Sequence, residues 1–166
     1  MVWVQGCTLA CLGCFNPGTH PPGGGAGGGA GGAVAVDDLF ARIAALGAVE
    51  GLTVSGGEPL QQPGPLAALL RRVKAETALS VLVFTGYTWS EARRRASGVL
   101  PYIDVLLAGR YRPGVPKAAH FLTARYTQAD LDAVPPAEVV IHPDGSVVLT
   151  GLDPTPTRSG LHEHPH

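Results

Sequence analysis

"GLTVSGGEPLQQPGPLAALLRRVKAETALSVLVFTG", running from Gly51 to Gly86, carries the pattern that decides the fold. "GLTVSGGEPL" reads as a strand that ends in glycines. The following "PGPLAALLRRVKAE" sets Leu66, Leu69, Leu70 and Val73 at i, i+3, i+4 and i+7, the spacing of a helix packed on a sheet by one side. "LSVLVFTG" is an almost unbroken apolar run, as expected of a strand covered on both faces. Strand, helix and strand in this order form a βαβ unit, which implies a parallel sheet with a right-handed crossover.

The same alternation extends in both directions. Upstream, "VWVQ" is a short strand, and "VAVDDLFARIAALG" is a helix that Asp37 or Asp38 would cap, with Leu39, Ile43 and Leu46 on one stripe and Gly47 closing it. Downstream, "SEARRRA" reads as a short helix and "YIDVLLAG" as a fourth strand. Beyond it "YRPGVPKAAHFLTARYT" reads as loop, "QADLDAV" as a short helix, and "AEVVIHPDGSVVLTG" as a β-hairpin turning at Pro143 to Gly145.

A full eightfold barrel needs at least about 200 residues, and this chain has 166. The expected fold class is therefore α/β: an incomplete, TIM-type barrel with a parallel βαβ sheet and a C-terminal hairpin. Residues 1–152 would form one domain, interrupted by a flexible glycine-rich insertion at 21–32, with 153–166 as a disordered tail.

Lys and Arg number 12 against 13 Asp and Glu, so no overall field draws the protein to nucleic acid or to an anionic membrane. The longest apolar runs fall far short of the roughly 20 residues of a membrane span, and Met1 leads into "VWVQG" without a secretory pattern. We expect a cytoplasmic protein with neither a nucleic-acid nor a membrane partner. The Arg93 to Arg95 run reads as a solvated helix face, Trp3 and Trp89 as packing residues, and His162, His164 and His166 as part of the tail.

All three cysteines, Cys7, Cys11 and Cys14, sit within "GCTLACLGCF", just after the first strand. An odd, local set argues against a secreted disulfide framework. Four chemistries suit it: an iron–sulfur cube held by three thiolates with one iron open, a zinc site completed by His20, a Cys11/Cys14 redox couple, or three inert thiols. A missing fourth ligand is useful where a substrate must reach the metal, and the glycine tract just after His20 would hold that histidine poorly.

"CTLACLGCF" resembles the cysteine loop of the radical S-adenosylmethionine superfamily, and "SGGEP" from Ser55 to Pro59 resembles its second signature. "FNPGTH", "TVSGGEPLQQ" and "FTGYT" are similar to segments of the small glycyl-radical activases that serve anaerobic ribonucleotide reductase. The likeness spans Val2 to about Gly109. It implies that Cys7, Cys11 and Cys14 bind three irons of a 4Fe-4S cluster and that S-adenosyl-L-methionine chelates the fourth. Phe15 would then shield the cluster and pack near the adenine. An electron from the cluster would cleave the sulfonium, giving a 5'-deoxyadenosyl radical that abstracts hydrogen from a large protein partner, with a low-potential donor supplying the electron.

Physical chemistry assigns further contacts at the same strand ends. Gly56 and Gly57 let backbone approach a ligand closely, Glu58 offsets the ammonium of the cosubstrate, and Pro59 stiffens the exit. Thr85 and Gly86 would touch ribose or carboxylate from the third strand or else serve simply as a turn, and Arg110 would reach the carboxylate from the fourth or else stand on a solvated rim. The rival reading is a non-catalytic iron–sulfur or zinc module for electron transfer or scaffolding.

Overall fold

The computed structural model describes residues 1–21, 32–47, 49–115 and 117–133, together with the backbone of 138–141 and 147–150. The glycine tract from Pro22 to Gly31, the turn from His142 to Ser146 and the tail beyond Thr150 lie outside the described residues.

By its contacts the chain divides into Met1–Thr127 and Gln128–His166. In the first unit, β1 (Val2–Val4), β2 (Gly51–Gly56), β3 (Ser80–Thr85), β4 (Val105–Ala108) and β5 (Ala118–Phe121) form one sheet in that order. Each of the first four pairs with the next in parallel, and β5 runs antiparallel to β4, so the sheet ends at two edges and does not close on itself. The second unit holds α4 (Gln128–Asp132) and the antiparallel pair β6 (Glu138–Ile141) and β7 (Val147–Thr150). Among the described residues, no helix is long and apolar enough to cross a membrane.

Register explains the core. Leu52 pairs with Val81, Val54 with Val83, and Val83 with Leu106, so these side chains share one face of the sheet. That face joins one apolar cluster with α1 (Val36–Ala44) and α2 (Pro63–Glu76), which contribute Phe40 and Ile43, and Leu66, Leu69, Leu70 and Val73. Arg72 ties the two helices: its guanidinium lies 4.0 Å from the Phe40 ring centroid and bonds Asp37 at 2.7 Å. The alternate face carries Leu82, Phe84, Val105 and Leu107. On β3 the first two are only half-buried while Val81 and Val83 are fully buried, so the apolar run there conceals a strand with one deep and one shallow side. All four residues of β4 are buried.

Some local readings change. The cap of α1 is Ala35, with no side-chain bond; Asp37 and Asp38 lie in the first turn, where carboxylates suit the helix dipole. The α1 stripe is Phe40 and Ile43, and Leu46, beyond the last turn, is 62% exposed. Within the stretch expected to be loop, Ala118–Phe121 forms β5, because β4 offers an edge that backbone groups must satisfy. Below the sheet Asp104 is buried and accepts from Lys74 Nζ, the Val81 N–H and Thr123 Oγ1, which locks α2 and β3 to β4.

Candidate metal centre

Four parallel strands deliver their C-terminal ends to one edge, where ligands of parallel sheets gather. Here the cysteine loop leaves β1. It is closed at its base by paired backbone: the Gly6 N–H donates to Thr19 O and the Cys7 N–H to His20 O, both at 2.9 Å. Gly6, Ala10 and Gly13 adopt φ of 96°, 49° and 67°, so the chain turns sharply between its cysteines. For Ala10 the left-handed conformation costs about 1–2 kcal/mol, and a non-glycine residue held there marks a loop whose path is imposed by its surroundings.

Side chains after β2 clamp this loop. Gln61 Oε1 accepts from the Thr8 N–H at 3.1 Å while Gln61 Nε2 donates to Thr8 Oγ1 at 2.8 Å; Gln62 Nε2 donates to Gln5 O at 2.6 Å. Gln5 Oε1 is buried with no donor among the described residues.

Gly56 and Gly57 are required by the chain itself. A Cβ on Gly56, which has φ of 105°, would strike the Val4 carbonyl oxygen and stand 2.6 Å from Val4 N; on Gly57 it would strike the Gly6 carbonyl oxygen and stand 3.0 Å from Thr19 O. This approach lets the Gly57 N–H reach Val4 O at 2.8 Å and the Glu58 N–H reach Gly6 O at 2.9 Å. The glycine pair thus seats the cysteine loop on β2.

Glu58 is wholly buried. Its Oε1 accepts from the Leu60 N–H at 2.9 Å and Thr85 Oγ1 at 2.6 Å, and its Oε2 accepts from the Gly86 N–H at 2.6 Å. Burial raises its pKa above the ordinary carboxyl value, against the pull of those three donors and of Lys117. The carboxylate therefore braces the loop after β2 to the loop after β3. Thr85 is buried beside it and Pro59 below it, while Ser55 is half-buried in β2. A Cβ on Gly86 would meet the terminal methyl of Leu9 and stand 3.3 Å from Glu58 Oε2, so Leu9 would have to shift to admit a side chain there.

Arg110 forms a two-toothed ion pair with Glu91, at 2.8 and 2.9 Å, and donates to Gly86 O. Glu91 is also the capping-box residue of α3 (Trp89–Arg95). The paired guanidinium lowers the Glu91 pKa to about 2. Phe15 lies 62% exposed beside Leu12, which is 93% exposed.

The structure thus brings Gly56 to Pro59, Thr85, Gly86 and Arg110 to the same end as the cysteines, with Phe15 on its open rim. Lys117, Gln61, Gln62 and Glu91 escaped the sequence reading. Gln61 and Gln62 carried a signal as amides directly behind the glycine motif, and Glu91 carried one as the last residue of the capping box that begins at Thr88. A cavity of about 550 Å³ lies at the opposite end, lined among others by Ile43, Glu50, Leu79 and Arg125, away from the cysteines.

The donor set suits an iron–sulfur cluster. All three thiols are free and half-buried, and Cys11 and Cys14 lie near enough to Cys7 to act on its charge; burial, the largest influence, raises the Cys7 pKa, with the Leu9 N–H pulling it back. Metal binding replaces those protons. Among the described residues no three His, Cys, Asp or Glu side chains converge on one point as a single ion requires.

Residues 1–128 match the model of the family described as "4Fe-4S single cluster domain". The anaerobic ribonucleoside-triphosphate reductase-activating protein of Haemophilus influenzae is 35% identical over 115 residues, 66% of this chain and 72% of that one. Its namesake from Pasteurella multocida is 39% identical over 118 residues, with the same coverage. That of Enterobacteria phage T4 is 28% identical over 119 residues, 70% of this chain and 72% of its own. With residues 1–128, more than three quarters of its length, matching that model, the chain belongs to the 4Fe-4S single cluster domain family.

Proposed function

We propose that this protein is a radical S-adenosylmethionine enzyme of the glycyl-radical-activating type, acting on a large protein partner such as an anaerobic ribonucleotide reductase. The observation that carries the reading is the cysteine loop: three free thiols on one backbone-closed turn, seated by Gly57 and Glu58 at the C-terminal edge of parallel strands. Held by Cys7, Cys11 and Cys14, a 4Fe-4S cluster would supply the low-potential electron that splits the sulfonium of S-adenosyl-L-methionine into methionine and a 5'-deoxyadenosyl radical.

The chain's own residues do the rest. Cys7, Cys11 and Cys14 hold three irons and leave one corner to the cosubstrate. Gly56 to Pro59, with Ser55, form the wall next to it, and backbone groups there meet its amino and carboxylate ends. Thr85 and Gly86 face the ribose, kept in place by Glu58. Arg110 anchors the far side, and Phe15 covers the cluster from solvent. The sheet serves as the wall of an incomplete barrel, which leaves the site open to a partner's loop rather than enclosing a free small molecule. Three unpaired cysteines suit a reducing, cytoplasmic setting, supplied by a low-potential donor.

Anaerobic reconstitution with iron and sulfide, followed by dithionite and S-adenosylmethionine, tests this. 5'-Deoxyadenosine accumulates in the parent, and neither it nor the visible absorbance of the cluster appears when any one of the three cysteines is changed to Ala. A cluster that loads yet yields no 5'-deoxyadenosine makes the protein an iron–sulfur module for electron transfer or scaffolding instead.

A further inference from the structure

We propose that Lys117 is the counter-charge of the metal centre, a positioning residue whose ammonium holds up the reduction potential of the cluster. This rests on the reading above and goes beyond it. Lys117 directly precedes β5 and is half-buried. Its Nζ donates to Thr85 O at 3.0 Å and to Gly109 O, so it spans the carbonyls that end β3 and follow β4. The Thr85 side chain in turn bonds Glu58. Pro113, ahead of Lys117, lies near the cysteine loop, its Cγ 3.8 Å from where a Cβ on Gly13 would stand.

An ammonium has three N–H groups. Two are taken here, and among the described residues the third has no acceptor. Glu58, Cys11 and Cys14 all lie near enough to favour its charged form, against burial, which is the largest influence and lowers its pKa, and against Arg110. Arg110 is neutralised by its own carboxylate partner; among the described residues Lys117 bonds carbonyl oxygens alone, so its charge stays available to the thiolates.

A cluster held by three thiolates is anionic, and each added electron makes it more so. A fixed cation beside it therefore favours the reduced state, since net charge and hydrogen bonding around the sulfurs set cluster potentials. At an effective dielectric near 20, a unit charge within about 10 Å changes such an equilibrium on the order of tenfold.

The experiment is a redox titration of the loaded protein without S-adenosylmethionine, for the parent, Lys117→Gln, Lys117→Met and Lys117→Arg. In the two neutral variants the ratio of reduced to oxidised cluster at fixed potential falls about tenfold, which for one electron is about 59 mV. Lys117→Arg stays close to the parent. Equal midpoints in all four overturn the proposal. So does an unchanged midpoint with lost affinity for S-adenosylmethionine in equilibrium dialysis, which would make Lys117 an anchor of the cosubstrate. Failure of both neutral variants to fold as apoprotein assigns Lys117 to structure and likewise overturns it. A parent that takes up no cluster sinks the functional reading and this one together, whereas loaded proteins with equal midpoints sink this one alone.

Discussion

Glu58 offers the sharpest test of how the site is built, because its carboxylate is committed to three donors before any ligand arrives. In Glu58→Gln the remaining carbonyl oxygen still serves Leu60 and Thr85, but an amide nitrogen faces the Gly86 N–H across what was a 2.6 Å bond. A buried N–H without an acceptor costs about 1–3 kcal/mol. Removing a buried charge offsets part of this, leaving a net loss of about 1–2 kcal/mol. In Glu58→Ala all three donors are orphaned and a fully buried side chain is lost, so about 4 kcal/mol is expected, within the range for breaking a buried charged network. At about 4 °C per kcal/mol for a unit of this size, the melting temperature falls by about 4–8 °C and about 16 °C respectively. Differential scanning calorimetry of the cluster-free protein measures this without involving the metal. The pH dependence adds a signature. Since the native carboxyl holds its proton more tightly than the unfolded one, the Glu58 contribution to stability is largest below the ordinary carboxyl pKa and is lost as pH rises through the native value. Glu58→Gln removes that decline. An alanine variant that melts within about 3 °C of the parent would refute the brace, because no arrangement of three orphaned buried donors costs so little.

Gly57→Ala should destabilise the apoprotein by about 2–3 kcal/mol in urea unfolding and lower its iron uptake, since every atom meeting the new methyl is backbone. Gly98→Ala, where nothing lies within 4 Å and φ is not in the left-handed region, should be neutral or gain up to about 1 kcal/mol. The Arg110–Glu91 pair stabilises the fold above the ordinary carboxyl value, and that contribution is lost as pH falls from 4.5 toward about 2. An acid titration followed by circular dichroism should show a shallower loss in this window for Glu91→Gln.

Elements whose apolar spacing is fixed by local packing were legible. The Leu66–Val73 stripe of α2, the glycines ending β2 and the apolar run of β3 all fall where periodicity puts them. β5 was not legible, because "AAHF" carries no alternation of its own and becomes a strand only where the edge of β4 presents unpaired groups. Leu46 failed for the opposite reason: its spacing fits the stripe, but α1 ends at Ala44 and the side chain points to solvent. At the site, the cysteines and the glycine motif are chemically loud in sequence. Lys117 is silent there, since its place beside Thr85 depends on β5 folding back antiparallel.

Glu58 and Arg110 also change what a ligand at this edge would meet. Sequence logic gave one to an ammonium and the other to a carboxylate, yet each is already paired, Glu58 with the loop after β3 and Arg110 with Glu91. A cosubstrate that took either side chain would have to break bonds that hold two strand ends together. Among the described residues, parallel strands present carbonyl oxygens at this edge, the cysteine loop adds sulfur, and Arg110 and Lys117 bring positive charge. Arg110 is spent on stabilising α3, and Lys117 spans the carbonyls between β3 and β4. The edge is therefore shaped by the chain before it is loaded: side chains fix the loops, and backbone and sulfur are left free to bind. This division also accounts for the glycines, whose missing side chains bring Val4, Gly6 and Thr19 into contact with β2 and so set the cysteine loop against it.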